Sequence, residues 1–77
     1  MKTVERRVWI ITYYLKDIDP KTGEEFNWSN SEQYYADTYA EAKDIKRKLL
    51  AGEHWYYGDL VEDCEISDGP KEVEFYA

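Results

Sequence analysis

Hydrophobic positions in this chain fall into short extended runs on either side of one helical run. Val4 to Leu15 (VERRVWIITYYL) is dense in β-branched and aromatic residues, too short and too uniformly apolar for an amphipathic surface helix, and reads as a strand. Its odd positions (Trp9, Ile11, Tyr13, Leu15) and its even positions (Val8, Ile10, Tyr14) are both apolar. That pattern predicts a central strand, or one covered on both faces. In Asp19-Pro20-Lys21-Thr22-Gly23-Glu24, Pro presets a turn and Gly is free to take positive φ, so a hairpin follows. The return strand lies within Glu25 to Ala36, and the polar Ser29-Asn30-Ser31 stretch predicts a bulge or a break in it.

Thr38-Tyr39-Ala40-Glu41 is a capping box, the Thr hydroxyl and the Glu carboxylate each serving an orphan amide of the first turn. The helix it starts runs to about Ala51. Ala42, Ile45 and Leu49 share one face, Lys46, Arg47 and Lys48 complement the C-terminal dipole, and Gly52 suits the C′ position. His54-Trp55-Tyr56-Tyr57-Gly58 reads as an aromatic loop with Trp55 expected in the core; a solvent-facing Tyr56 or Tyr57 would be an interface anchor. Leu60 to Ile66 and Lys71 to Tyr76 flank Ser67-Asp68-Gly69-Pro70 and read as a second hairpin. The expectation is an α+β fold of order ββαββ, a small antiparallel sheet with one helix packed on one face, over residues 1–77 as a single domain.

Composition changes that picture in one respect. A chain of 77 residues sits in a size range where one core supplies only about 3 to 5 kcal/mol. One cysteine (Cys64) and one histidine (His54) provide neither an internal disulfide nor a zinc site, so no metal and no cofactor is expected. Thirteen aromatic residues, eight of them Tyr, must therefore carry the core, and Tyr tolerates half-exposed binding positions. Met1 to Arg7 is not followed by an apolar run with a cleavage site, and no stretch is long enough to span a bilayer, which predicts a cytoplasmic protein with a lone reduced thiol. The Asn27-Trp28-Ser29 sequon is then incidental.

Charge gives the functional clue. Met1 to Ala51 balances nine acids against nine bases, whereas Gly52 to Ala77 sets eight acids against Lys71 alone, so the whole net charge of −7 sits in the last third. A one-sided negative field selects basic partners and repels nucleic acid and anionic membranes. In the predicted second hairpin, Ile66 faces Lys71, Cys64 faces Val73 and Glu62 faces Phe75 on the mainly apolar side. The other side sets Glu65 against Glu72 and Asp63 against Glu74. Like charges directly opposite cost about 0.2 to 1 kcal/mol per pair, poor for stability and well suited to meeting a basic surface. Acidic edges also serve solubility and block edge-to-edge aggregation.

Other motifs carry less. Asp17-Ile18-Asp19 with Gly23, Glu24 and Glu25 has the flavour of a calcium loop, but its Gly and Pro20 are misplaced for an EF-hand, and a plain turn is expected. Cys64 falls on the predicted core face, where a thiol is inert packing, so a Cys64–His54 catalytic pair is not expected. Lys43, Lys46, Arg47 and Lys48 form a basic stretch that reads as dipole complement and solvated face, Asp44 pairing with Lys48. Tyr35 to Ala42 resembles the strand-to-helix junction of the arm-type DNA-binding domains of tyrosine recombinases; it is a generic capping signal, and no functional residue carries over.

The sequence thus predicts a non-enzymatic acidic binding protein that occupies the basic nucleic-acid-binding groove of a partner. Glu62, Asp63, Glu65, Glu72 and Glu74 would be the phosphate mimics, and Tyr56, Tyr57 and Tyr76 the anchors. In size and acidity the chain resembles small phage-encoded inhibitors of host defence nucleases, of the anti-CRISPR or anti-restriction type, with no shared motif behind the resemblance. The expected partner is a basic protein, with no direct nucleic-acid or membrane contact. The alternative is a small protein–protein interaction or self-assembly module, a homodimer among its forms, in which the acidic hairpin is solubilising.

Overall fold

The computed structural model describes residues 2–27 and 30–76. Its elements are β1 (Thr3–Leu15), β2 (Ser31–Ala36), α1 (Tyr39–Leu50), β3 (Val61–Ile66) and β4 (Lys71–Tyr76). The four strands form a small antiparallel sheet with one helix, the expected ββαββ order of an α+β fold. β1 is the central strand, with β2 on one side and β3 on the other, as its two-sided apolar pattern implies.

The first hairpin closes where the sequence places it. Asp19 N–H donates to the Glu24 carbonyl, Gly23 N–H donates to the Asp19 carbonyl, both at 2.8 Å, and Gly23 takes φ +76°. The Asp19 carboxylate accepts from the Lys21 amide at 2.9 Å, the local bond that makes Asp a turn residue. Pairing along Glu25 to Ala36 is interrupted as expected: Glu25 bridges Ile18 and the Phe26 amide donates to the Asp17 carbonyl at 2.8 Å, while β2 begins only at Ser31; Ser29 lies outside the described residues. Pairing runs from Trp9 opposite Ala36 to Tyr14 opposite Ser31.

α1 starts and stops by local chemistry. The Thr38 hydroxyl accepts from the Glu41 amide at 3.1 Å. At the other end Glu53 N–H donates to the Lys48 carbonyl and Gly52 N–H to that of Leu49, at 3.0 and 3.2 Å, with Gly52 at φ +79°. These two bonds make a Schellman motif, which requires a left-handed residue at the position Gly52 fills. Ala42 and Leu49 are buried and Ile45 half-buried against Ile11, Tyr13 and Leu15 of β1, Ala36 of β2 and Val61 and Cys64 of β3.

The last two strands do not form a hairpin, and this corrects the sequence expectation. β3 and β4 each pair with β1, along successive stretches of it: Ile11 to Leu15 with Ile66 to Val61, and Thr3 to Val8 with Tyr76 to Lys71. Ser67 sits between the two ladders. Its N–H donates to the Ile10 carbonyl at 2.9 Å, and its hydroxyl accepts from the Ile10 amide at 3.1 Å while donating to the Gly69 carbonyl at 2.8 Å. The Ser-Asp-Gly-Pro segment is thus an excursion between two pairings with one strand, with Lys71 held to Asp68 at 2.9 Å. Leaving β1 unpaired from Thr3 to Val8 would strand its backbone groups, which β4 satisfies. The predicted pairs Glu65–Glu72 and Asp63–Glu74 therefore do not exist. Glu65 lies opposite Thr12, Asp63 opposite Tyr14, Glu72 opposite Arg7 and Glu74 opposite Glu5.

Two irregularities reposition side chains. In β3 the register shifts so that Asp63 faces Tyr14 while Val61 faces Leu15, leaving Glu62 as an extra residue. This bulge turns Val61 inward beside Cys64 and leaves Glu62 exposed, where strict alternation would bury it. The β1–β4 ribbon also bends. Phe75, opposite Val4, meets the ring of Tyr35, opposite Ile10, edge-on at 5.3 Å, although six residues of straight strand span about 20 Å. Val8, 1% exposed, is buried outside the main cluster.

The register makes a prediction with an internal control. Glu72→Lys and Glu74→Lys change net charge equally. The first sets Lys against Arg7 and is expected to destabilise by about 0.2 to 1 kcal/mol, while the second relieves the Glu5–Glu74 pair and stabilises by a similar amount. Urea midpoints at physiological salt give both signs; stabilisation by both would restore the β3–β4 hairpin.

Candidate functional site

Residues alternating along a strand share a face, and β1 with β2 uses this to gather polar aromatics beside the helix. Tyr13 and Glu32 are directly opposite, as are Ile11 and Tyr34. All four therefore point to the side on which α1 packs. The buried Tyr13 hydroxyl donates to Glu32 Oε2 at 2.8 Å. Burial first, and then that bond to a carboxylate, hold the Tyr13 phenol far above its ordinary range. The Tyr57 hydroxyl donates to Glu32 Oε1 at 3.0 Å, and its phenol is raised by the same two causes in the same order.

His54 organises the loop above this face. Nδ1 accepts from the amides of Tyr56 and Tyr57 at 2.9 and 3.0 Å. A nitrogen accepting two N–H groups carries no proton, so the neutral ring holds its hydrogen on Nε2. Nε2 lies 3.1 Å from the Tyr34 hydroxyl and 3.3 Å from that of Tyr13. The Gly58 amide closes the turn on the His54 carbonyl at 3.0 Å, with Gly58 at φ +54°. Burial lowers the His54 pKa from its ordinary 6.5, against a smaller opposing pull from Glu32. A second proton would also set Nδ1–H against two backbone donors. His54 is thus a buried structural ring that the sequence alone left between core and surface.

The ring next to it goes outward. Trp55 is 84% exposed, against the expectation of a core residue, and Tyr56 is 66% exposed. Once His54 takes the buried position and its ring caps the next amides, the intervening side chain has no inward path. Tyr57 returns half-buried to the cluster. The Trp55 and Tyr56 rings lie 5.4 Å apart at 58°, and those of Tyr56 and Tyr57 5.0 Å apart at 88°, so three consecutive rings form walls at steep angles. With Tyr13, Glu32, Gln33, Tyr34 and His54 they line an open groove of about 560 Å³.

The acidic residues singled out from sequence are exposed but dispersed. Asp63 and Glu65, opposite Tyr14 and Thr12, lie on the sheet face away from α1, where the Tyr14 hydroxyl donates to Glu65 and the Asp63 carboxylate accepts from the Cys64 amide at 2.8 Å. Glu72 and Glu74, opposite Arg7 and Glu5, occupy the other side of the β1–β4 ribbon. Glu62 stands on the bulge near Lys16 and Asp17. Tyr76 is 79% exposed at the end of β4, opposite Thr3 and remote from the groove. Of the expected anchors the structure joins only Tyr56 and Tyr57. The site adds Glu32, Gln33 and Tyr34, which sequence reasoning passed over, and Trp55, which it expected in the core. The alternation of Glu32 with Tyr34 was the available signal, and it is readable only once β2 is set in register with β1.

Elsewhere, burial pushes the Cys64 thiol up, away from a reactive thiolate, and Arg47 and Lys48 are paired with Asp44 at 2.7 and 3.1 Å. Among the described residues no helix is long and apolar enough to cross a membrane.

His54 makes folding pH-dependent. As pH falls below about 6.5 the unfolded chain takes a proton that the folded ring resists, so stability declines through the window below that value. His54→Leu, which leaves the Tyr56 and Tyr57 amides without an acceptor, is expected to cost about 1 to 3 kcal/mol at neutral pH. It should also flatten the slope of urea stability between about pH 6.5 and 5.5; an unchanged slope would mean that the folded ring takes its proton as readily as the unfolded one. No protein-family model matches this chain, and neither a curated protein nor a solved structure is significantly similar to it.

Proposed function

We propose that this chain is a non-enzymatic acidic binding protein that docks on a basic protein partner, with Trp55 and Tyr56 as anchor. The supporting observation is the exposure of those two rings on a turn that His54 fixes from within. Trp and Tyr dominate binding energy where they enter a partner's pocket, and a turn already held in place loses little freedom on docking. The net charge of −7 supplies the steering, since complementary fields raise association rates and reject like-charged surfaces.

In the narrower form of this reading the partner's basic surface is a nucleic-acid-binding groove, as for an anti-CRISPR or anti-restriction inhibitor. Exposed carboxylates on both faces of the sheet favour it, with Asp63 and Glu65 on one side and Glu72 and Glu74 on the other. The single row of paired acids that sequence anticipated is no longer part of the case. Self-association through the same rings is the rival.

Capture from a cytosolic lysate with a salt gradient separates these readings. A basic protein retained by the native chain and by Tyr76→Ala, released at moderate salt, and lost at least tenfold by Trp55→Ala is the expected result. Trp55 is exposed, so its truncation should leave the fold intact. Capture indifferent to Trp55→Ala, or a salt-independent dimer in sedimentation, would overturn the proposal.

A further inference from the structure

We infer that the groove receives an arginine side chain of the partner, the guanidinium meeting Glu32 and lying against the rings of Trp55, Tyr56 and Tyr57 that line it. This rests on the reading of the chain as a binding module and names the chemistry of its site. Among the described residues Glu32 is the one charged side chain lining the groove, since His54 is held neutral. Each of its oxygens accepts one phenol hydroxyl, from Tyr13 at 2.8 Å and Tyr57 at 3.0 Å. Carboxylate oxygens take about two hydrogen bonds each. Both oxygens therefore keep capacity for a donor, in an orientation the two tyrosines already fix.

The walls suit a planar cation. Three rings in contact with one another, tilted by 58° and 88°, turn differently oriented surfaces toward a group lying against them in the groove. Aromatic faces attract cations, and guanidinium, planar and weakly hydrated, stacks on them better than ammonium. Its parallel N–H pair also matches a carboxylate. Among the described residues none of the chain's own Lys or Arg side chains lines the groove. Arg6 lies over Phe75, Lys43 over Tyr39, and Lys48, on the side of Trp55 toward α1, is bound to Asp44. A groove with one carboxylate, no cationic side chain and a chain charge of −7 is complementary to a cation.

The test is a titration of the isotope-labelled full chain with N-acetyl-arginine methylamide, with the lysine and citrulline analogues as controls. Citrulline keeps the shape and loses the charge. Saturable shifts at the Trp55 indole N–H and the amides of residues 55–57 are expected, with citrulline at least about tenfold weaker and lysine intermediate. Glu32→Gln and Trp55→Ala should each weaken arginine about tenfold while resonances of β3 and β4 stay in place. Equal binding of citrulline, which would also indicate a neutral ligand such as a sugar, overturns the inference. So do non-saturating shifts spread over Asp63, Glu65, Glu72 and Glu74, or no shift at Trp55 at concentrations on the order of 10 mM. The two readings fail separately. Partner capture that needs Trp55 but survives Glu32→Gln removes the arginine site and keeps the binding module. Arginine binding with capture indifferent to Trp55 does the reverse.

Discussion

Among the described residues every other strand hydrogen-bonds to β1 and to no strand besides it. That dependence follows from size. A short chain cannot bury several sheets, so one long strand carries the pairing for all. Its odd positions from Ile11 to Leu15 face the helix, and Val8 is buried separately where the strand bends. A substitution that weakens β1 thus loosens three ladders at once. The same strand places Tyr13 under the groove, so the candidate site is built directly on the most constrained element.

The elements were legible in the sequence because their signals are local. Thr38, Glu41 and Gly52 define the helix ends through bonds to near neighbours, and Gly23 does the same for the first turn. The partner of β4 was not legible. Ser67 to Pro70 carries good turn residues, and nothing nearby reveals that Ser67 instead fills a gap in a ladder with Ile10, 57 positions away in sequence. The expected facing carboxylates were a consequence of that pairing and disappeared with it. Glu72 opposite Arg7 replaces a repulsion by an attraction while Glu74 keeps a like-charged neighbour in Glu5, so one repulsive pair stands where the hairpin would have had two.

The site was partly legible for a different reason. A run of His-Trp-Tyr-Tyr-Gly announces an aromatic loop, yet side-chain direction in a turn depends on which residue supplies the internal hydrogen bonds. Here His54 does, through two backbone amides and two phenols. Hydrophobicity alone would send Trp55 inward and the imidazole outward. The outcome is reversed because the turn needs an acceptor for its inward amides more than it needs another apolar ring.

That reversal has a cost in stability, and the cost bears on function. Leaving Trp55 in water forgoes the burial of one of the largest apolar side chains in a chain short of core. The ordering of Glu32 by two phenols likewise commits Tyr13 and Tyr57 to one carboxylate at the rim of an open groove. A fold selected for stability alone gains from burying the indole and from placing an apolar residue opposite Tyr13. Rigid exposed rings beside an oriented carboxylate are preorganised for contact, and preorganisation is where a binding surface recovers what its own fold gives up.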